Sequence, residues 1–290
     1  MTKQNASLLI LLGGTCMSFV GLLMRLIDNA DGFQILAYRS VALSLIVALV
    51  VCMKRKISPS TFLRSLDAND FKMGTTLAVA FAFYIFSMLY TSVASTLLIL
   101  TTVPFITALM AWFFLGERPT RLTWVCMITA VLGVGLMVSG GVELGRSLGN
   151  LFAFISGICF AAMLVFARKS KQPDPLGGTF LAGVISTAIG LGFSATLGNG
   201  LILSAHDLAI ILFMGAFTIG LGIAFVTWGT SVVPAAEVSL LLLIESLLGP
   251  IWVWVFLSEA MTTSEIIGGA LVLLSVAALA ISQKEKPIRT

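Results

Sequence analysis

Residues 104–120 read PFITALMAWFFLGERPT, and residues 246–262, 142 positions further on, read SLLGPIWVWVFLSEAMT. Both end in the pattern W-x-F-L-x-E-x-x-T, with Trp112, Phe114, Leu115, Glu117 and Thr120 meeting Trp254, Phe256, Leu257, Glu259 and Thr262. Working outward at the same offset, Ala94 meets Ala236, Leu98 meets Leu240 and Leu100 meets Leu242. Leucine matches arise by chance in apolar sequence, but Trp, Glu and Thr in one register do not arise so easily. The chain therefore reads as two copies of one unit, over residues 1–140 and 141–290.

Composition says what kind of unit this is. Of 290 residues, 58% are apolar and only 10% are charged, against about 45–50% and 25% in soluble domains. Mean hydropathy is +1.07. These values exclude a soluble globule and a disordered chain. An outer-membrane barrel alternates polar and apolar residues in strands of about 10 residues, whereas the runs here are unbroken and twice as long. About 20 apolar residues as a helix cross the hydrocarbon core. Ten such runs are expected, at 7–27, 33–53, 73–92, 95–115, 122–139, 148–167, 176–197, 208–228, 236–257 and 264–282. The one long connection, Lys54–Lys72, has room for a small amphipathic surface segment.

Charge tests that count. With the N-terminus inside, fourteen Lys and Arg fall on the cytoplasmic side and only Arg146 falls opposite, while Arg25 and Arg39 lie within spans. This is a strong positive-inside bias, and it places both termini in the cytoplasm of a cell inner (plasma) membrane protein. Five spans per copy is an odd number, so the second copy must run inverted to the first. The expected fold is an all-α integral membrane protein, ten transmembrane helices in two inverted five-helix repeats. Such repeats characterise alternating-access carriers with a site near the midplane. The net charge of +4 comes from loops and tails and carries no suggestion of nucleic acid. Cys16, Cys52, Cys126 and Cys159 lie in or at the ends of apolar runs and read as packing residues. With a single histidine, His206, and no paired ligand spacing, neither a metal nor a cofactor is expected.

Ten spans in two halves, each with an apolar helix ending in F-L-G-E or F-L-S-E, resemble the drug/metabolite transporter superfamily, EamA type. The likeness is carried by Tyr90–Ala94, Pro104–Thr120 and Ala235–Glu259 and covers almost the whole chain. The resemblance implies a carrier whose cavity is lined by the third, fourth, eighth and ninth spans with the first and sixth. Members move amino acids, drugs or other metabolites, most often outward. One departure concerns proline: Pro104 stands thirteen residues before Glu117, the matching position is Ser246, and the second proline is displaced to Pro250. The ninth span is therefore expected to bend at a different depth from the fourth.

Glu245 lies near the bilayer centre of span nine. A charge there costs about 2.5–3.5 kcal/mol even on insertion scales. The group must face a polar cavity or take up a proton, which suits proton coupling or a cationic ligand; the bland alternative is a neutral acid bonded to a neighbouring helix. Arg39, about 6 Å from the midplane, suits a substrate carboxylate or an acidic partner, or else reaches to the surface along its stem. Arg25, close to the end of span one, reads as reaching the surface. Tyr84 is mid-span with a hydroxyl needing a partner. With Tyr84, Trp228 and Tyr90 are candidates to line a cavity through the third and eighth spans; the alternative for these two is the interfacial aromatic routine near span ends. Thr101 joins Glu245, Arg39, Tyr84 and Trp228 as a candidate substrate contact. Pro104 and Pro250 can kink their helices, with Thr101 and Thr102 placed to re-satisfy the carbonyl that Pro104 frees. Glu237 begins span nine, where a helix N-terminus favours an acid; an inner-gate role is the alternative. Glu117 and Glu259 read as structural acceptors for a loop or for the next helix's N-terminus.

The glycines of span seven read as close helix contacts. The small faces around Gly133 and Gly268 fit internal packing or a dimer, so monomer and homodimer both stand. The expected function is a secondary carrier for a small organic metabolite or drug, more in keeping with an exporter, with the lipid bilayer and the solute as its partners. An uncoupled facilitator of the same fold is the alternative. An integral membrane enzyme is disfavoured, because the acids are scattered and the loops short.

Overall fold

The computed structural model describes residues 2–91, 93–138, 147–170, 175–257 and 263–282. Glu259, Arg146, Lys171, Lys284, Lys286 and Arg289 lie outside the described residues, as does the side chain of Pro250. Among the described residues the secondary structure is helical, without strands. Eight helical segments are long and apolar enough to cross a membrane, and two shorter apolar helices accompany them.

In chain order the helices are α1 (Lys3–Met17, continuing as Val20–Arg25), α2 (Gly32–Arg55), α3 (Ala68–Tyr90) and α4 (Val93–Leu100, continuing as Val103–Leu115). They continue as α5 (Arg121–Val138), α6 (Ser147–Lys169) and α7 (Leu176–Thr196). The last three are α8 (Ala205–Phe213 through a π-helical Met214–Leu221 to Gly222–Thr230), α9 (Ala235–Leu241, continuing as Ile244–Leu257) and α10 (Thr263–Ser282). A short helix, Pro59–Arg64, fills the long connection; its Phe62 is buried against the Phe180 ring at 5.2 Å.

Polar caps set where several of these helices begin. Asp31 and Gln34 form a reciprocal capping box at the start of α2, with bonds of 2.8 and 2.9 Å. Asp67 and Asp70 do the same for α3. This box starts α3 at Ala68, five residues before the apolar run, because it satisfies backbone N–H groups that hydropathy alone ignores. Ser204 caps α8 by accepting from the Asp207 N–H at 3.0 Å.

Small residues set how closely the helices pack. A Cβ on Gly178 would lie 2.7 Å from the Met73 sulfur, and one on Gly190 2.6 Å from the Ala37 backbone. Gly177 and Gly183 are equally confined, so four of the five span-seven glycines are close contacts, while Gly192 faces open space. Gly133 of α5 and Gly268 of α10 meet each other inside the chain, where a Cβ on Gly133 would fall 2.7 Å from the Gly268 carbonyl oxygen.

The depth at which α9 bends corrects the reading of its prolines. Helix α4 breaks at residues 101–102 and α9 at residues 242–243, which is the same register at an offset of about 142. The helix runs unbroken through position 250. Both breaks are tightened turns: Thr101 N–H bonds Leu98 at 3.2 Å and Leu243 N–H bonds Leu240 at 3.1 Å. Pro104 sits at the start of the second segment of α4, where its missing N–H is tolerated. Thr101 and Thr102 do not serve the carbonyl four residues before Pro104; their hydroxyls donate to Leu98 and Ile99 at 2.6 and 2.7 Å.

Candidate functional site

Four of the helices are irregular at mid-depth: α1 at Ser18–Phe19, α4 at 101–102, α8 in its π-helical stretch and α9 at 242–243. Backbone irregularity at membrane depth is tolerated where it is buried in protein or lines a cavity. A cavity of about 120 Å³ lies at that level, lined by residues of α1, α2, α3, α4, α6, α8 and α9. A water needs about 10–15 Å³ on this scale, so the space holds several waters or a small organic group.

Its wall is apolar around six polar side chains. Met17, Val20, Phe81, Phe160, Ile219 and Leu242 contribute hydrocarbon; Arg39, Tyr84, Ser156, Ser239, Glu245 and Ser246 contribute the polar groups. Glu245 stands ten residues into α9, about 15 Å from one end and about 18 Å from the other. It stands two residues past the break and lines the cavity. Arg39 is 1% exposed, and its guanidinium carbon lies 5.0 Å from the centre of the Phe81 ring. Its Nε and Nη2 have no hydrogen-bond partner among the described residues. Tyr84 lines the same cavity as Arg39 and Glu245. Neighbouring bonds hold the wall: Ser156 donates to the Ala80 carbonyl at 2.9 Å, and Trp252 donates to Ser18 at the α1 break at 2.7 Å.

Three of the residues singled out in the sequence, Glu245, Arg39 and Tyr84, thus share one cavity. Thr101 is buried at the α4 break but is not part of the lining. Trp228 lies elsewhere, near the face that carries the N-terminus, where the Lys54 ammonium sits 3.1 Å above its ring. Glu237 is on that face as well, paired with Lys3 at 2.8 Å. Tyr90 ends α3, exposed, against the Phe152 ring. Arg25 is exposed at the end of α1.

Sequence reasoning missed two groups of residues. Ser156, Ser239 and Ser246 carry no signal, since serine in an apolar helix reads as packing. The partners of Glu117 were missed also. Among the described residues its partners are neither its own loop nor the following helix but Arg168 Nε of α6 at 2.7 Å and the Ala235 N–H of α9 at 3.2 Å. At the opposite face, the Asp207 carboxylate takes the N–H groups of Asp28 and Asn29, each at 3.1 Å. Asp28, His206 and Asp207 also bring one ligand atom each within 4.8 Å of one another. Both Asp207 oxygens are already engaged there, so the cluster reads as a loop anchor.

The sequence model of the EamA-like transporter family matches the chain twice, over residues 4–139 and 147–281. An uncharacterized transporter of Archaeoglobus fulgidus is 26% identical over 67% of this chain and 70% of its own length. An uncharacterized transporter of Synechocystis sp. is 27% identical over 67% of this chain and 60% of its own, so the match leaves a substantial part of that relative uncovered. A solved crystal structure superposes with a TM-score of 0.83 at 16% identity, covering 98% of this chain and 100% of that one. At that identity the likeness shows the fold alone.

Proposed function

The chain belongs to the EamA-like transporter family, and from that premise we propose that it is a secondary carrier for a small organic metabolite, working by alternating access. It is a multi-pass membrane transporter. In the fuller reading it has ten spans, as two inverted five-helix halves over residues 1–140 and 141–290, with both termini in the cytoplasm of an inner (plasma) membrane. The two family matches, the shared W-x-F-L-x-E-x-x-T register and the Lys/Arg asymmetry support that topology.

The observation that carries the reading is the mid-depth cavity, lined from both halves at the level where α1, α4, α8 and α9 lose helical regularity. Discontinuous helices around a midplane site are the usual construction of carriers with inverted repeats. Glu245 is the group that couples flux to protons, and outward transport is the direction that the family resemblance favours. Residues at the N-terminal face, Lys3–Glu237 and Arg168–Glu117, would hold the cavity closed on that side.

Uptake into proteoliposomes of a labelled panel (amino acids, organic acids, nucleosides, vitamins and cationic drugs), with and without an imposed pH gradient, tests this. Accumulation above equilibrium only with the gradient supports a proton-coupled carrier. Equilibration without accumulation makes the chain a facilitator. No flux of any member removes the carrier reading for these solutes.

A further inference from the structure

We propose that the cavity takes a small organic monocarboxylate and that Arg39 receives its carboxylate; this rests on the carrier reading above. The argument begins with an imbalance. A guanidinium withdrawn from water needs a counter-charge and partners for its donors, since removing one member of a buried pair is strongly destabilising. Arg39 is 1% exposed, and among the described residues neither its Nε nor its Nη2 has a partner.

Those two atoms are not an arbitrary pair. They form one edge of the guanidinium, the edge that offers two parallel N–H groups to a carboxylate. The Phe81 ring faces the guanidinium carbon at 5.0 Å, and a cation over an aromatic face keeps its in-plane donors for another acceptor. Among the described residues no acceptor lining the cavity, Glu245 included, bonds either atom. The Ser156 hydroxyl donates to the Ala80 carbonyl and the Ser239 hydroxyl to the Ala235 and Ala236 carbonyls.

The rest of the lining narrows the ligand. Arg39 is the one cation among the lining residues, and Glu245 lines the same cavity. A phosphate dianion would meet one positive group and one acid, too little charge to replace its hydration. A monocarboxylate matches a single guanidinium. The hydrocarbon of Met17, Val20, Phe160 and Ile219 provides for an apolar body. The carboxylate can belong to an amino acid, whose ammonium group Glu245 would accept, or to a plain carboxylic acid.

The test is equilibrium binding to the full-length protein in nanodiscs. The probes are apolar amino acids, their deaminated acids, their carboxyl-free amines, their amides, and tetraphenylphosphonium. We expect at least one carboxylate to bind and to lose about 30-fold or more in affinity when its carboxyl is removed or amidated, as when one partner of a buried charged pair is deleted. Arg39→Gln should level that preference to within about 3-fold, and Arg39→Lys, which keeps charge but not the two-donor edge, should retain part of it. Binding by amino acids only, or by amino acids and deaminated acids alike, supports the proposal and identifies the source of the carboxylate.

An amine, an amide or tetraphenylphosphonium binding as tightly as the matching acid overturns it. So does a carboxyl preference that survives in Arg39→Gln, or failure of every carboxylate to bind. The wild-type series decides even where Arg39→Gln fails to fold. Flux of the carboxyl-free probes is scored separately, so a carrier with a different substrate class is distinguished from a chain that carries nothing.

Discussion

The Glu117 carboxylate at the end of α4 lies 2.7 Å from the Nε of Arg168 at the end of α6. The same arginine donates through Nη1 to the Ser231 carbonyl at 2.6 Å, and the second Glu117 oxygen accepts from the first residue of α9. One ion pair thus joins four pieces of chain drawn from both sides of residue 140, at the face where Lys3 also holds Glu237. Both side chains are 24% exposed, so the pair is partly desolvated and each member would leave unsatisfied donors or acceptors behind if removed.

Breaking that pair should open the N-terminal face of the cavity. In a cysteine-free background, a cysteine replacing Ser239 reports access from that face to a membrane-impermeant maleimide. Glu117→Ala and Arg168→Ala should each speed labelling several-fold. A double-mutant cycle on stability should return a coupling of about 1–2 kcal/mol. Unchanged labelling in both variants would reduce the pair to a static brace.

Glu245→Gln tests the proposed coupling role without altering shape. The amide resembles the protonated acid and cannot release a proton. Flux down a solute gradient should persist, while a pH gradient should no longer drive accumulation, and the exchange rate should become flat with pH. Wild-type-like accumulation in the variant would move the coupling elsewhere.

How much of this was legible in the sequence depends on the kind of interaction. Helices were readable because about 20 apolar residues leave the chain little else to do in a bilayer. Start points were not: α3 begins at Ala68 because Asp67 and Asp70 exchange bonds with each other's backbone, a local effect that hydropathy averages away. Glu245, Arg39 and Tyr84 stood out because polar groups at depth are costly. The α9 break at 242–243 lies in a run of leucines, with the nearest proline several residues later. It is set by what packs around it, and no local residue announces it. Arg168 read as one of several loop charges, since its value depends on which acid the fold brings to it.

Packing should respond differently at two glycines of similar sequence appearance. A Cβ on Gly133 would meet the Gly268 backbone at 2.7 Å, whereas one on Gly192 meets nothing within 4 Å. Gly133→Ala should destabilise the α5–α10 contact by about 1–3 kcal/mol, as overpacking does. Gly192→Ala should be neutral or stabilising by up to about 1 kcal/mol from helix propensity. Thermal unfolding in detergent, followed by tryptophan fluorescence, should place Gly133→Ala below wild type and Gly192→Ala at or above it.

Asp207 supports the opposite face through backbone groups. Its two oxygens accept the N–H groups of Asp28 and Asn29, which fixes the connection between α1 and α2 against the start of α8. Asp207→Asn keeps one good acceptor and loses the charge; Asp207→Ala leaves both N–H groups without a partner. Each orphaned group costs about 1–3 kcal/mol where water cannot replace the bond. Hydrogen exchange at the Asp28 and Asn29 amides should therefore accelerate modestly in Asp207→Asn and by at least about tenfold in Asp207→Ala. The amides of the α2 interior should keep their protection. Equal exchange in wild type and Asp207→Ala would mean that the connection is held by the neighbouring Asp31 and Gln34 cap alone.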